Sequence, residues 1–255
     1  MTRAMMIICG CVLCVALAGA ATTCHAGADA DAAASESQVI REGVYRMSYF
    51  GKTLGTETFE ITRTSTGYVI NARLDSNLDS QVSSEGTYEL DANRRLIRAT
   101  YRPFDGSGIE AEYTVTDGSI VSVARKGDDV VGEQVIELDS DTVIAGPHYV
   151  TDFFVLEPLG HRLKEEKTYQ AVTFGFDGWK INPDVTMKTT RDKDRTLRNE
   201  EDRKVSTSVY RCDITTGDDR FKTQSWLDAD GVSLRITVAA PIGKMTVRLQ
   251  PIDET

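Results

Sequence analysis

The stretch Gly146-Pro-His-Tyr-Val-Thr-Asp-Phe-Phe-Val-Leu-Glu-Pro-Leu-Gly-His-Arg-Leu163 decides how this chain folds. Its apolar residues recur every three or four positions, which is the period of an amphipathic helix. Pro147 suits the first position of a helix, and Pro158 is expected to end or kink the helix near Leu156. The sequence therefore predicts a short central helical segment within residues 142–164, and such a helix needs a sheet to cover.

The residues on both sides of this stretch form short runs in which apolar and polar side chains alternate, separated by Gly, Asn, Asp and Ser. This pattern is typical of antiparallel strands joined by tight turns. We therefore predict one β-rich domain over residues 41–250, with a first meander at 41–124 and a second at 166–250. The charged block at 191–204 (RDKDRTLRNEEDRK) is predicted to be a solvated hairpin extension or loop, inserted in the second meander.

The two meanders resemble each other in sequence. The pattern Glu-x-x-Tyr-x-x-x-x-Phe-Gly begins at Glu42 in the first and at Glu166 in the second, and Leu-Asp-Ala-Asn/Asp begins at Leu90 and at Leu227. The charged block would account for the longer spacing between the two motifs in the second meander. An internal duplication explains these matches, and so does convergent use of the same turn residues. A strand-for-strand superposition of the two halves would distinguish the explanations.

A β half, a helix and a second β half indicate a mainly β fold. We expect one curved antiparallel sheet, as a half-barrel or as two facing sheets, built from the two similar meanders. The helical segment would cover the concave side or close one end. Alternation predicts that Tyr45, Met47 and Tyr49 share one face of the first strand and that Ser233 faces outward. The pattern is equally compatible with an open cavity and with a filled core.

The first 28 residues are typical of a secretory signal peptide, because a positive residue is followed by a short apolar run and then by small residues suited to cleavage. Residues 29–40 are rich in Ala, Asp and Ser and are predicted to be a disordered leader. The protein is therefore expected in the periplasm. Acylation of Cys24 is an alternative, but a threonine stands where a small Gly or Ala is expected before an acylated cysteine.

Composition excludes several classes of function. Of the five cysteines, only Cys212 lies in the predicted domain, so no disulfide framework is expected. Alternation places Cys212 on the apolar face of its strand, which predicts a buried and inert thiol. The formal net charge of −10 argues against nucleic acid and anionic membranes as partners. No stretch after the signal is long and apolar enough to predict a transmembrane span.

The predicted binding site lies between the concave sheet face and the helix. Glu57 shares a strand face with Phe59 and therefore points inward if Phe59 is buried, where an unpaired carboxylate is costly. Glu57 is either a polar anchor at the mouth of a pocket or a strand-end residue paired with an arginine, and we favour the second interpretation. The predicted ligand-binding residues are Tyr45, Met47, Tyr49, Glu57, Phe59, Tyr149, Phe153 and Phe154.

His148 and Asp152 are four residues apart on the predicted helix, close enough to touch or to share a metal ion. We interpret them as an exposed pair on the helix surface, because two ligands do not make a metal site. The chain has no nucleophile elbow, no phosphate-binding loop and no dinucleotide fingerprint. We therefore expect no catalytic residues, no metal, no cofactor and no enzymatic activity.

Three motifs resemble a broad group of uncharacterised exported bacterial β-rich proteins. They are Gly55-Thr-Glu-Thr-Phe-Glu-Ile61, Phe153-Phe-Val-Leu-Glu-Pro-Leu159 and Trp226-Leu-Asp-Ala-Asp-Gly231. Such proteins are similar in outline to the periplasmic lipoprotein-carrier half-barrels, in which a curved antiparallel sheet closed by helices holds an acyl chain. The resemblance implies a lipid-like or other hydrophobic ligand. The charged block at 191–204 departs from the compact carriers.

Two functions are compatible with this architecture. The first is a periplasmic binding or carrier protein for a hydrophobic, lipid-like envelope component. The second is a non-enzymatic accessory or structural envelope protein with a filled core, which acts through a protein partner. A cavity of several hundred Å³ lined by Tyr45, Met47, Phe153 and Phe154 would favour the carrier. Burial of these side chains against one another would favour the accessory protein.

Overall fold

The computed structural model describes residues 37–77, 83–160, 166–176, 178–199, 201–240 and 243–250. One helix, α1 (Asp152–Gly160), follows a single 3-10 turn at Tyr149–Thr151. The strands are β1 (Gln38–Tyr49), β2 (Lys52–Arg63), β3 (Gly67–Ser76), β4 (Ser84–Asp91), β5 (Leu96–Pro103), β6 (Ile109–Thr116), β7 (Ser119–Lys126), β8 (Asp129–Glu137), β9 (Val143–Ala145), β10 (Lys167–Phe174), β11 (Ile181–Arg191), β12 (Arg195–Arg198), β13 (Lys204–Thr216), β14 (Asp219–Leu227), β15 (Ser233–Ala240) and β16 (Gly243–Gln250).

These strands form one large curved sheet, which is unclosed within the described residues. Its order is β8-β7-β6-β5-β4-β3-β2-β1-β16-β15-β14-β13-β11-β10-β9, and β12 pairs with β13 outside this order. The first and last strands pair with each other in the middle of the sheet. Neighbours are antiparallel except β9, which is parallel to β10. The prediction of a mainly β fold with one curved antiparallel sheet and a short central helical segment is confirmed.

The turn between β10 and β11 and the first residue of β11 contact the edge strand β8. The side-chain amide of Gln134 in β8 donates to the carbonyl oxygen of Ile181 and accepts its N–H, both at 3.0 Å. The indole of Trp179 packs against Gly132, where a Cβ atom would lie 2.3 Å from the ring. Side-chain contacts therefore connect β8 to the β10–β11 hairpin, with which it has no strand pairing among the described residues.

The strands extend beyond two of the predicted boundaries. β1 begins at Gln38, inside the predicted leader, because Gln38 already pairs with Arg63 of β2. The first meander continues past residue 124 through β8 to Glu137. The sequence obscures β8 because acidic residues and Gly132 interrupt its apolar alternation. The predicted signal peptide and residues 29–36 lie outside the described part of the chain.

The charged block forms the hairpin extension that its composition predicts. β12 pairs with the start of β13, from Arg195 opposite Thr207 to Arg198 opposite Lys204. This pairing lies beyond Ser208, where the pairing of β13 with β14 ends. The hairpin therefore projects past the end of the main sheet.

The strand order is compatible with an internal duplication, because β10, β11, β13, β14 and β15 follow one another as β1 to β5 do if β12 is an insertion. The turns at Asp91 and Asp228 are alike, since each Oδ1 accepts the N–H groups of the residues two and four positions later. However, Asn199 makes the same turn within the inserted hairpin. Convergent turn chemistry therefore accounts for the matches equally well, and the duplication stays a prediction.

Shifts in strand register decide which side chains reach the core. In β10 the shift between Ala171 and Thr173 turns the following residues inward, so Phe174 is buried. Its counterpart in the first meander, Phe50, lies in a two-residue turn and is 80% exposed. A second shift places two residues of β15, from Ser233 to Arg235, opposite a single step of β14, and Ser233 is buried beside the helix. The prediction that Ser233 faces outward is therefore wrong.

The helical segment begins later than predicted and has no break at its proline. His148 has an extended backbone conformation, so the first helical residue is Tyr149 and not Pro147. α1 continues through Pro158 to Gly160, which contradicts the predicted end near Leu156. Pro158 lies in the last turn, where the loss of one N–H donor leaves most of the helix unaffected. The predicted extension to residue 164 lies outside the described residues.

Candidate functional site at the helix–sheet junction

Glu57 of β2 caps the start of the helical segment from across the core. Its two carboxylate oxygens accept the backbone N–H groups of Tyr149 and Val150, each at 2.8 Å. The first N–H groups of a helix lack partners within the helix, and the two oxygens of the Glu57 carboxyl group supply acceptors for them. Glu57 lies within β2 and is fully buried, so the favoured prediction of a strand-end residue paired with an arginine is wrong. Glu57 positions the helix.

Burial perturbs the protonation of this carboxyl group. Desolvation raises the pKa of Glu57 from 4.5 to about 8, although the N–H groups of Tyr149 and Val150 lower it. Tyr45 lies directly opposite Glu57 on β1 and is also buried. The Tyr45 hydroxyl makes no hydrogen bond to any residue that the structure describes. The junction therefore contains a buried hydroxyl without a partner beside a buried acid.

His148 fixes the segment before the helix to β4. Its Nδ1 accepts or donates a short hydrogen bond with the Tyr88 hydroxyl, and its Nε2 lies 3.4 Å from Oγ of Ser84. A Cβ atom at Gly86 would lie 2.9 Å from the ring, so only glycine lets the imidazole approach the strand this closely. Burial lowers the pKa of His148 from 6.5 to about 4, so the ring is neutral at pH 7. The predicted exposed pair with Asp152 is therefore wrong.

Asp152, the first residue of α1, fixes the helix to the second meander. Its Oδ2 accepts hydrogen bonds from Ser225 of β14 at 2.8 Å and from Ser233 of β15 at 3.0 Å. Burial raises the pKa of Asp152 from 3.8 to about 6, while the two serine hydroxyls lower it. We call Glu57, His148 and Asp152 the polar clamp, because together they hold the helix to β2, β4 and the β14–β15 pair.

The predicted ligand-binding residues come together around α1, but they form part of a filled core. Phe153 and Phe154 are 1% and 7% exposed, and the Phe154 ring lies 5.6 Å from that of Tyr88. Tyr45 stacks on Phe59 with ring centroids 4.9 Å apart. The remaining apolar members either are buried or pack against the same core while partly exposed, as do Met47, Tyr49 and Tyr149.

A groove of about 540 Å³ crosses β2 to β6 and is lined mainly by outward-facing polar side chains. Phe59 is the one predicted site residue among them. The guanidinium groups of the groove already have carboxylate partners, because Arg102 contacts Glu85 at 3.2 Å and Arg73 contacts Asp75 at 3.1 Å. Its wall therefore contains one ion pair between β4 and β5 and one within β3, and the cross-strand pair stabilises the sheet face.

Cys212 occupies the position that alternation predicts. Its side chain is buried, and the Thr189 hydroxyl lies 3.5 Å from its Sγ. Burial raises the pKa of the Cys212 thiol from 9.0 to about 12. A thiol with so high a pKa is protonated at neutral pH and is a poor nucleophile. The prediction of a buried thiol is confirmed.

The polar clamp predicts an unusual dependence of stability on pH. The pKa of Glu57 is raised on folding, so the folded state holds its proton up to about pH 8, and stability falls as the pH rises through this range. The lowered pKa of His148 has the opposite effect, but only below about pH 6.5. We therefore expect the free energy of unfolding to fall by about 1–2 kcal/mol between about pH 6.5 and about pH 8.

Urea unfolding at several pH values in this range measures the fall, and the Glu57→Gln variant provides the control. The variant should show a flat profile above about pH 6.5, because its amide does not titrate. A decline of the same size in both proteins would show that Glu57 is not its cause.

No protein-family model and no curated protein matches this chain. A solved β-barrel-like protein of the domain of unknown function DUF1849 from Brucella abortus is similar to it, with a TM-score of 0.53 and 14% identity over 82% of this chain and 94% of that chain. The hypothetical lipoprotein YmcC from Escherichia coli aligns with a TM-score of 0.31 and 10% identity, over 88% of this chain and 92% of that chain.

The likeness is one of fold. The predicted resemblance to uncharacterised bacterial β-rich proteins is confirmed by the Brucella structure. At these identities the Brucella structure shows the architecture alone, and the YmcC match is too weak to support any argument. Among the described residues, no helix has the length and apolar character needed to cross a membrane.

Glu57 and the helix aromatics could be identified from the sequence, but the partners that hold the helix could not. Ser84, Ser225 and Ser233 are all buried on the helix side of the sheet. A polar residue at an inward position is the one sequence signal that could have indicated them, and serine is too common in strands for that signal to be specific. The partners of Glu57 are backbone N–H groups, which have no sequence signature.

Proposed function

We propose that the protein is a non-enzymatic accessory protein of the bacterial envelope, which keeps a filled core and acts by binding a protein partner through its outer surface. One observation carries the proposal: the side chains that would line a cavity, including Phe153 and Phe154, are buried against one another and against the sheet. Because the helix occupies the concave face, the outer surface is the part of this protein that remains for recognition of a partner.

The non-enzymatic part of the proposal is supported by the state of the groups that could catalyse a reaction. Both oxygens of Glu57 accept backbone N–H groups, and both ring nitrogens of His148 lie near hydroxyl groups. The Cys212 thiol has a raised pKa. Each of these groups has a structural role that catalysis would disturb. The envelope location is supported by the signal-like pattern of the first 28 residues.

A carrier for a hydrophobic, lipid-like component is the second candidate, and the polar clamp is the observation that favours it. The helix is held at its start by hydrogen bonds, and water could replace these partners if the helix moved away. The Tyr45 hydroxyl beneath it has no partner among the described residues. Departure of the helix would uncover apolar side chains of the concave face, which a hydrophobic ligand could contact.

Native mass spectrometry of the mature chain, purified from a bacterial periplasm and followed by organic extraction, distinguishes the two candidates. The accessory protein should show the mass of the chain alone, and added oleic acid should leave its thermal unfolding midpoint unchanged. A stoichiometric apolar adduct that is released on denaturation, or a rise of the midpoint with oleic acid, would overturn the accessory proposal in favour of the carrier.

A further inference from the structure

One side of the edge strand β8 pairs with no other strand among the described residues. β8 ends the strand order, and within the described residues its only strand partner is β7. The unpaired N–H and C=O groups of an edge strand can pair with a strand of another chain. Proteins usually protect such an edge with charged side chains, especially lysine, with proline, with a bulge or with a very short strand. β8 has nine residues and neither lysine nor proline, and its protection consists of three acidic side chains and one register shift.

Valines cover the outer face of this edge. Val131 and Val135 are 48% and 53% exposed, and Val135 lies opposite Val121 of β7. A register shift next to Val130 leaves that side chain exposed as well. Single exposed valines are common on protein surfaces, but here three lie together along one edge strand, with Val121 of β7 beside them. We call Val121, Val130, Val131 and Val135 the edge valines.

The charged side chains of β8 itself are all negative, although Arg125 and Lys126 of β7 lie opposite its first two residues. Residues 128–139 (DDVVGEQVIELD) contain five acidic and no basic side chains. Glu133 and Glu137 are exposed and form no ion pair with any residue that the structure describes. Self-pairing of two copies through β8 would bring these carboxylates together, which is unfavourable. A strand with basic side chains would instead meet opposite charges.

We propose that β8 binds an extended segment of a partner protein, in which apolar and basic residues alternate, as an added strand of the sheet. Backbone hydrogen bonds would supply affinity, the edge valines would accept the apolar side chains, and Glu133 and Glu137 would select basic ones. The contacts of Gly132 and Gln134 with the β10–β11 turn involve inward-facing positions, so they hold β8 in place and leave its outer face open. This inference rests on the proposed function and names the surface and chemistry of its partner.

Fluorescence anisotropy with three labelled synthetic peptides tests the proposal on the full mature chain. The probes are an alternating Lys-Val peptide of seven residues, the same peptide with Glu in place of Lys, and the Lys-Val peptide with proline at its central position. We expect the alternating basic peptide to bind about tenfold more tightly than either of the others. Equal binding of the proline peptide would overturn the proposal, because charge alone would then explain the binding.

A charge-reversed variant adds a second readout. Glu133→Lys combined with Glu137→Lys should weaken binding of the basic peptide by about tenfold and strengthen binding of the acidic peptide. The matched control is Glu201→Lys combined with Asp218→Lys, which changes the net charge equally at exposed turns in the second half of the chain. An equal loss of affinity for the basic peptide in both double variants would overturn the proposal. Dimerisation of the parent chain through β8 would overturn it as well.

The outcomes also separate this inference from the proposed function. If no peptide binds and the chain still shows its own mass in native mass spectrometry, the β8 inference fails and the accessory function stands. If a stoichiometric apolar adduct is found, the accessory function fails whatever the peptides do. Circular dichroism melts of both double variants check that each is folded before binding is compared.

Discussion

Replacing Phe154 with aspartate is expected to lower the free energy of unfolding by about 3 kcal/mol or more. The Phe154 ring is buried and lies 5.6 Å from the ring of Tyr88, in the part of the core where α1 meets β4. Removing a buried phenylalanine typically costs about 3–5 kcal/mol, and an unpaired buried carboxylate adds to this cost. Urea unfolding followed by circular dichroism measures the change.

Phe50→Asp is the matched control, because it makes the same substitution at an exposed site. The Phe50 side chain is 80% exposed, and its φ of 47° lies in the left-handed region, which bulky residues avoid and aspartate tolerates. We expect the free energy of unfolding of this variant to lie no more than about 0.5 kcal/mol below that of the parent. If Phe154→Asp unfolds at the same urea concentration as Phe50→Asp, then α1 does not pack on the sheet as described.

The fold could be predicted from the sequence because alternation is a local signal. Tyr45 and Met47 point inward as the pattern along β1 predicts, and both are buried. Prediction failed where a register shift changes the phase of a strand, as between Ser233 and Arg235, because the shift depends on the pairing of two strands and not on either one. It also failed at Pro158, since the effect of a proline depends on its distance from the end of the helix.

The candidate site could be predicted only in part. The position of Glu57 on an apolar face correctly indicated a buried carboxylate, because a strand face can be derived from neighbouring residues. Its partners are the N–H groups of Tyr149 and Val150, which lie far along the chain. His148 shows the same difficulty, since its burial depends on Gly86 and Tyr88 of another strand. Contacts between distant elements are set by the assembled sheet and leave no local pattern.

The filled core and the free edge have a common physical origin in this fold. A sheet that does not close must bury its concave face in another way, and here α1 provides the cover. The same lack of closure leaves β8 without a second strand partner among the described residues. The carrier and accessory functions therefore depend on opposite behaviour of the helix, which must leave the concave face in the first and remain there in the second.

Glu57→Leu tests how firmly the helix is held, and we expect it to lower the free energy of unfolding by about 3 kcal/mol. Leucine has nearly the same size but cannot accept hydrogen bonds, so the N–H groups of Tyr149 and Val150 would lose their partner in a buried site. Each unsatisfied buried donor costs about 1–3 kcal/mol, and relief of the desolvated carboxyl group offsets part of the sum. Urea unfolding measures the loss, and Glu57→Gln, which keeps one acceptor oxygen, should lie between this variant and the parent.

Hydrogen exchange shows whether this loss arises at the start of the helix. In Glu57→Leu, the amides of Tyr149 and Val150 should exchange faster than the loss of global stability alone explains. Local opening of the helix start no longer breaks their hydrogen bonds to the Glu57 carboxyl group. Glu60→Leu is the control, because Glu60 lies on the same strand but faces outward, and we expect a change within about 0.5 kcal/mol. Unchanged exchange at both amides would contradict the capping role of Glu57 and leave apolar packing alone to position the helix.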